Sequence, residues 1–235
     1  MTSCGSKKEV VYFQDSKDFE TLIGDNYFEP KFKVDDEVVI LVSTANPEAS
    51  APFNLYSGTG GDGGQQQVSY LVDKYGEIDF PVLGKIKVAG LSPEELRVFL
   101  YKKLDGYLKD PIINIRLNNF TVTILGEVNA PGTYQVIGEQ ITILEALGLA
   151  GDLGRKAIRN NIMIIRDYSG TKVISRIDLT SKEAFNNPSY YLTQNDIIYV
   201  EPNKSAISES RSDGRLGVVL SLIGIAITTA TLITN

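Results

Sequence analysis

Short runs in which hydrophobic residues alternate with polar ones predict β-strands along most of the chain. In the first half of the sequence, the predicted strands are residues 32–34, 38–42, 68–72, 78–80, 86–88 and 112–117. The segment 46–67 is rich in Gly, Pro, Ser and Gln, which predicts a mobile hairpin loop.

A helix is predicted between the last two of these strands. Ser92 is a good N-cap residue and Pro93 suits the first helical position. Glu94 and Glu95 fall in the first turn, where the helix dipole favours carboxylates. The residues that follow give one apolar face, made by Leu96, Phe99, Leu100 and Leu104.

The pattern starts again at Phe120. Residues 120–128 predict a strand, residues 129–136 a turn with its return strand, and Thr142 the N-cap of a short helix. Residues 162–166, 173–177 and 197–200 complete a small sheet. A few strands packed on one helix is an α+β arrangement, which is the fold class that we expect.

The last part of the chain, residues 216–235, carries no charge. As a helix it would cover about 30 Å, the thickness of the hydrocarbon core of a bilayer. Its small and polar residues fall on one helical stripe, which consists of Gly217, Ser221, Gly224, Thr228, Thr231 and Asn235. Such a stripe indicates helix–helix seams in a membrane or the water-facing side of a pore. A simple anchor is the third interpretation.

The amino-acid composition excludes several classes of function but says little about the fold. The formal charge of -6 argues against nucleic acid as a partner. The chain has no histidine, so it lacks the commonest general base and the commonest metal ligand. Cys4 is the only cysteine, which excludes structural zinc, iron–sulfur clusters and internal disulfides. We therefore expect no catalytic residue, no metal site and no cofactor.

Two motifs invite a catalytic interpretation, and both have a better one. Gly58, Gly60 and Gly63 spell G-x-G-x-x-G, but they lead into a predicted strand, whereas a dinucleotide site needs a helix there. Glu94 and Glu95 are adjacent, and adjacent helical residues point about 100° apart. They cannot flank one substrate bond, so helix capping explains them better.

Cys4 has small residues before it and Gly-Ser after it, which resembles the end of a bacterial lipoprotein signal. Met1 stands where such signals usually carry Leu. The resemblance implies that the sequence begins just before a cleavage point and that Cys4 becomes the lipidated first residue. The alternative is an ordinary exposed cysteine.

Two longer segments carry a family likeness. G-E-I-x-F-P-x-L-G-x-I-x-V-A-G-L-S at residues 76–92 and K-D-P at residues 109–111 resemble the polysaccharide export domain of outer-membrane, Wza-type capsule and exopolysaccharide exporters. L-G-E-V-x-x-P-G-x-Y at residues 125–134 and L-x-L-A-G-D at residues 147–152 resemble the β-grasp (SLBB) module that follows it. This chain departs from the family in having Asp35-Asp36 where Gly-Asp is usual, and a single β-grasp module where longer members carry two.

The resemblance divides the chain into five parts. These are a lipidated tether (1–24), a polysaccharide export domain (25–119), a β-grasp domain (120–202), a linker (203–215) and a C-terminal membrane helix (216–235). The glycines and prolines of the motifs are expected to shape turns rather than to bind a ligand. They are Gly76, Pro81, Gly84, Gly90, Pro111, Gly126, Pro131 and Gly132.

The family implies transport rather than catalysis. Its members are outer-membrane lipoproteins that assemble as rings, with an octamer expected here, with their folded domains in the periplasm and their C-terminal helices crossing the membrane. The implied partners are an inner-membrane polysaccharide co-polymerase, the polysaccharide and outer-membrane lipid. One alternative is a membrane-anchored periplasmic protein that binds or senses a saccharide. Another is a lyase or hydrolase acting on a polysaccharide.

Overall fold

The computed structural model describes residues 10–21, 29–57, 66–168 and 170–206, which form two α+β domains with separate hydrophobic cores. Its strands are β1 Glu37–Ser43, β2 Tyr56–Ser57, β3 Gln66–Gln67, β4 Tyr70–Leu71, β5 Glu77–Phe80, β6 Gly84–Lys87, β7 Ile112–Leu117, β8 Thr121–Gly126, β9 Gly132–Gln135, β10 Ile141–Thr142, β11 Ile162–Tyr168, β12 Thr171–Ile177, β13 Tyr191–Leu192 and β14 Ile197–Val200. Its helices are α1 Pro47–Ser50, α2 Pro93–Leu104 and α3 Ile143–Leu149, with 3₁₀ helices at Ala51–Phe53 and Lys182–Asn186.

The first domain packs α2 on an antiparallel sheet with the strand order β4-β1-β7. Every second residue of β1 is buried, as the alternation predicts. Ser92 caps α2 as expected, and it also forms a capping box because the Glu95 side chain accepts a hydrogen bond from the Ser92 backbone. The buried face of the helix consists of Leu96, Leu100 and Leu104.

The second domain is a five-stranded sheet with the order β12-β11-β14-β8-β9. Its strands pair antiparallel except for β14 and β8, which are parallel. Helix α3 contributes Ile143, Ala146 and Leu147 to the core, and Thr142 caps it with a second capping box. The predicted α+β arrangement is confirmed for both domains.

Three local predictions differ from the structure. Residues 32–34 form no strand, because the turn before β1 begins there: the Lys33 backbone donates to Asp36 Oδ2 at 2.8 Å. Segment 46–67 contains α1 and a 3₁₀ turn before its predicted hairpin, which β2 and β3 form. Of the strand predicted at residues 68–72, only β4 is regular. Residue 35 is Asp where the family usually has Gly, and the turn forms nevertheless. Asp35 has a φ of 69°, and Asp is one of the residues that tolerate this region.

Residues 10–21 lie against the second domain, although they precede the first domain in the chain. The ring of Phe13 stacks on that of Phe185 with centroids 4.7 Å apart. The carboxylate of Asp15 accepts a hydrogen bond of 2.7 Å from Ser181 Oγ. This packing differs from the extended tether expected for the segment.

Within the described residues, no helix combines the length and apolar character needed to cross a bilayer. The predicted membrane helix at 216–235, with its stripe of small residues, lies outside the residues that the structure describes, as do Cys4 and the three glycines of the G-x-G-x-x-G run.

Candidate functional site

A cleft of about 500 Å³ lies between the two domains. The first domain contributes the segment before β1, the residues after β6 and the end of β7. The second contributes the start of β8, the end of β11 and the turn between β13 and β14. The lining residues are 29–34, Lys87, Ala89, Gly90, Leu117, Phe120, Arg166, Tyr168, Thr193 and Gln194.

Arg166 and Asp196 form a buried ion pair on the second-domain side of the cleft. Arg166 Nη2 lies 2.7 Å from Asp196 Oδ2, Nε lies 3.0 Å from Oδ1, and Nη2 also donates to Tyr191 O at 2.9 Å. Burial acts to lower the pKa of Arg166, but the hydrogen bonds and charge of Asp196 outweigh it and raise this pKa. The guanidinium is therefore held by protein atoms and is not free to bind an anion.

Lys33 reaches across the cleft from the first domain. Its ammonium donates to the backbone oxygen of Asp167 at 3.4 Å and to Thr193 Oγ1 at 3.3 Å. It also lies 5.9 Å from the centroid of the Tyr168 ring, within the range of a cation–π interaction. A single side chain thus ties the first domain to two elements of the second.

Asn119 stands at the crossing between the domains. Its side-chain oxygen accepts from the Glu37 backbone N at 2.9 Å, and its side-chain nitrogen donates to Asp35 O at 2.9 Å. Its own carbonyl accepts a hydrogen bond from Gln194 Nε2. The side chain is therefore fixed to the first domain and the backbone to the second, so the cleft is a joint that sets the angle between them.

Asp36, in the turn that Asn119 supports, is a buried carboxyl group with 2% exposure. Burial raises its pKa to about 6, although the hydrogen bond from the Lys33 backbone and the charge of Lys33 act in the opposite direction. Its protonation is therefore coupled to the geometry of this turn.

The carboxylates weighed as catalytic candidates are occupied elsewhere. Glu94 forms an ion pair with Arg97, and Glu95 closes the capping box of α2. In the described part of the chain, no three Asp, Glu or Cys side chains are grouped so that they could hold a metal ion. The contacts described in the cleft hold the two domains together.

The predicted turn residues do not converge on the cleft, apart from Gly90. Gly76, Gly84, Gly90 and Gly126 have φ between 73° and 90°. At Gly126 an added Cβ would lie 2.1 Å from the Val200 oxygen, whereas at Gly132 the nearest contact would be at 3.8 Å and φ is not positive. Pro81 follows β5, Pro111 precedes β7 and Pro131 precedes β9.

The residues that build the joint were not singled out by the sequence reasoning. Lys33, Asn119, Arg166 and Gln194 are far apart in the chain, and each looks like an ordinary polar surface residue. The one available signal was local: Arg166 interrupts a run of Ile and Met on β11, and its position in the alternation is a buried one. A charged residue at a buried position predicts a partner of opposite charge.

Both halves of the chain match known families. Residues 28–118 match the polysaccharide biosynthesis/export protein family, and residues 121–200 match the SLBB domain. The chain therefore carries a polysaccharide export domain followed by an SLBB domain, which is the pair of domains that the resemblance to Wza-type exporters predicts. Asn119 and Phe120 separate the two matches, and the structure places the joint there.

Two relatives extend the comparison. The chain is 27% identical over 179 residues to the EPS I polysaccharide export outer membrane protein EpsA of Ralstonia solanacearum. It is 28% identical over 179 residues to the protein of the same name from Ralstonia nicotianae. Each match covers 72% of this chain and 47% of the relative, so the chain spans about half the length of the curated relatives it matches.

Proposed function

We propose that this export protein is a subunit of a ring-shaped outer-membrane channel through which a capsular or extracellular polysaccharide leaves the cell. The observation that carries the proposal is the pair of domains in family order, an export domain followed by an SLBB domain. The names of the two EpsA relatives, which are outer-membrane polysaccharide export proteins, support the same role. The activity is transport, with no catalytic step on the polymer.

A ring is needed because one chain is too small to enclose a path. A single helix of about 30 Å spans a bilayer but surrounds nothing. Identical subunits close a ring when one heterologous interface repeats through a fixed rotation, and the family resemblance suggests eight of them. The hydrogen bonds of Asn119 and Lys33 support this proposal, since a fixed angle between the domains lets every subunit present the same two faces.

The proposed attachment to the outer membrane is double. Cys4 carries thioether-linked diacylglycerol and an N-terminal acyl chain, which together anchor much more firmly than one chain can. The folded domains lie in the periplasm, where they meet an inner-membrane polysaccharide co-polymerase. Mass spectrometry of the N-terminus from the native host tests the lipid, and an unmodified thiol on Cys4 would contradict it.

The C-terminal segment 216–235 is the proposed membrane-crossing part of the ring, with its small and polar stripe towards the pore or the helix seams. Single cysteines in the otherwise unchanged chain test this arrangement, because the thioether of a lipidated Cys4 does not react with thiol reagents. Ser221→Cys, Gly224→Cys and Thr228→Cys should react with a small water-soluble thiol reagent, whereas Ile223→Cys and Ile227→Cys should be protected by lipid. Equal reactivity of the two sets would exclude a channel lined by the stripe.

The alternative function is a membrane-anchored periplasmic protein that binds or senses a saccharide. The cleft between the domains, with the partly exposed ring of Tyr168, is the feature that favours it. Light scattering and electron microscopy of the full-length protein in detergent separate the two functions. Closed rings support the channel, and a monomer at all protein concentrations supports the sensor.

A further inference from the structure

A second groove, of about 680 Å³, lies on the second domain away from the cleft. It is formed where both ends of the described chain meet one turn of this domain. We call it the terminal groove, and its lining residues are Val10, residues 155–160, Thr180 and residues 203–205. The backbone N of Asn203 donates to Lys156 O at 2.7 Å, which fixes the C-terminal end of the domain to this turn.

The charge of the terminal groove is opposite to that of the protein. Its lining includes Arg155, Lys156, Arg159 and Lys204 and no acidic residue, on a chain whose formal charge is -6. The side chains of Arg155 and Lys204 are exposed. Among the described residues, no carboxylate lies within 4.0 Å of the cationic groups of Arg155, Arg159 or Lys204. Arg155, Arg159 and Lys204 therefore give the groove a positive charge that no carboxylate among the described residues neutralises by direct pairing.

Arg159 is the buried member of this set, with 6% exposure. Nη1 donates to Ala157 O at 3.1 Å and Nη2 to Gly154 O at 3.3 Å, while the buried Nε has no hydrogen-bond partner. The guanidinium carbon lies 5.9 Å from the centroid of the Tyr12 ring. A buried cation is costly unless an anion accompanies it, and carbonyl oxygens alone supply no negative charge.

Tyr12 does not supply that charge either. Its hydroxyl donates to Asp152 Oδ1 at 2.5 Å. Burial, joined by the hydrogen bond and charge of Asp152, raises the pKa of Tyr12, so the phenol beside Arg159 stays neutral. Asp152 therefore reaches Arg159 only through the neutral phenol of Tyr12, and no carboxylate among the described residues pairs with Arg159 directly.

The groove also lies where the proposed membrane attachments must emerge. Val10 lies six residues after Cys4, and Ala206 lies ten residues before Leu216. At no more than ~3.6 Å per residue, these connections reach at most ~20 Å and ~35 Å. Both proposed anchors therefore hold the terminal groove close to a membrane surface.

We propose that the terminal groove binds the phosphate groups of phospholipid headgroups and that this face of the second domain lies against a membrane leaflet. The inference rests on the membrane attachment in the proposed function. Phosphate oxygens match the planar donors of an arginine, and the groove offers Arg155 and Arg159 together with the exposed Lys204. An anionic leaflet attracts each basic residue near its surface by an amount equivalent to about fivefold in binding.

The test uses the full-length protein and vesicles of phosphatidylcholine with or without phosphatidylglycerol. The acyl chains and the C-terminal segment bind to both, so the preference for phosphatidylglycerol, measured by co-sedimentation, isolates the headgroup contribution. We expect the wild type to prefer the anionic vesicles. The double variant Arg155→Gln/Lys204→Gln should lose up to about 25-fold of that preference, at about fivefold per residue. Its binding to pure phosphatidylcholine should not change.

The matched control is Lys102→Gln/Lys109→Gln, which removes the same charge from exposed positions on the first domain. It should keep the preference, and an equal loss in both double variants would overturn the inference. A preference that survives in the groove variant would also overturn it. So would a groove that binds soluble sulfated dextran and ignores vesicles, since that result would make it a polymer site. If the protein forms rings but does not prefer phosphatidylglycerol, only this inference is contradicted. If it forms no ring, only the proposed function is contradicted.

Discussion

Gly126 offers the sharpest test of how the second domain is held together. It has a φ of 90° and pairs with Val200 in the parallel pairing of β8 and β14. The backbone of Glu127 donates to the same Val200 oxygen at 2.9 Å. In Gly126→Ala, the added Cβ would lie 2.1 Å from that oxygen, far inside a contact distance of about 3.5 Å. Either the end of β14 moves away or the Glu127 hydrogen bond breaks.

Gly170→Ala is the matched control in the same domain. Gly170 has a φ of 92°, and an added Cβ there meets nothing within 4 Å. In this variant the free energy of unfolding falls only because of backbone strain, about 1–2 kcal/mol. Ala also restricts the unfolded chain, which makes this loss smaller by about 0.4–1 kcal/mol. Gly126→Ala adds about 1–3 kcal/mol of overpacking and about 0.5–1.5 kcal/mol for a lost hydrogen bond. The expected excess over the control is about 1.5–4.5 kcal/mol.

The assay is urea unfolding of the full-length protein in detergent, followed by far-UV circular dichroism and tyrosine fluorescence. The sequence contains 12 tyrosines and no tryptophan, so tyrosine is the natural fluorophore. The free energy of unfolding should fall much more in Gly126→Ala than in Gly170→Ala. Equal losses in the two variants would show that φ alone sets the cost and that the Val200 contact is irrelevant.

Three further outcomes follow from other contacts. Arg166→Met should lower the free energy of unfolding by about 3–5 kcal/mol because it leaves the fully buried carboxylate of Asp196 without its ion-pair partner. If the losses from Arg166→Met and Asp196→Asn simply added in the double variant, the two side chains would not be coupled. The pKa of Asp36 is raised from 3.8 to about 6. The protonated carboxyl group therefore stabilises the folded protein below pH 4, and this contribution is lost as the pH rises through 6. Asp36→Asn should remove that loss, on the order of 2–3 kcal/mol, and parallel stability–pH curves for the two proteins would contradict it. Phe13→Ala should expose residues 10–21 to limited proteolysis without unfolding the domains, and unchanged cleavage would show that the stack on the second domain is unimportant.

The elements that local chemistry determines could be predicted from the sequence. Ser92 and Thr142 start helices α2 and α3 as predicted, because a hydroxyl that accepts from the first free backbone N–H needs no distant partner. The two domains were recognised from motifs that lie mostly in turns, such as residues 76–92. Short strands could not be placed as well, since the 68–72 pattern is cut short where its pairing with β1 ends.

The joint and the terminal groove could not be predicted, for a different reason. Arg166 and Asp196 are 30 residues apart, and Lys33 and Thr193 are 160 apart. The first contact depends on the pairing of β11 with β14 inside the second domain. The second depends on the angle between the two domains, and local periodicity records neither. Residues 10–21 show the same limit, because a polar segment with scattered aromatic residues is as consistent with a free tether as with a packed strap. The contacts of Phe13 with Phe185 and of Asp15 with Ser181 distinguish the packed segment from a free tether.

The most direct test of the account is where the polysaccharide goes in the native host. Cells that lack this protein should retain the polymer in the periplasm, and the full-length chain should restore polymer outside the cell. A chain ending before Leu216 should accumulate as folded protein in the periplasm without restoring export. Normal amounts of extracellular polysaccharide in cells lacking the protein, or in cells with only the shortened chain, would contradict the proposal that it forms an outer-membrane export channel.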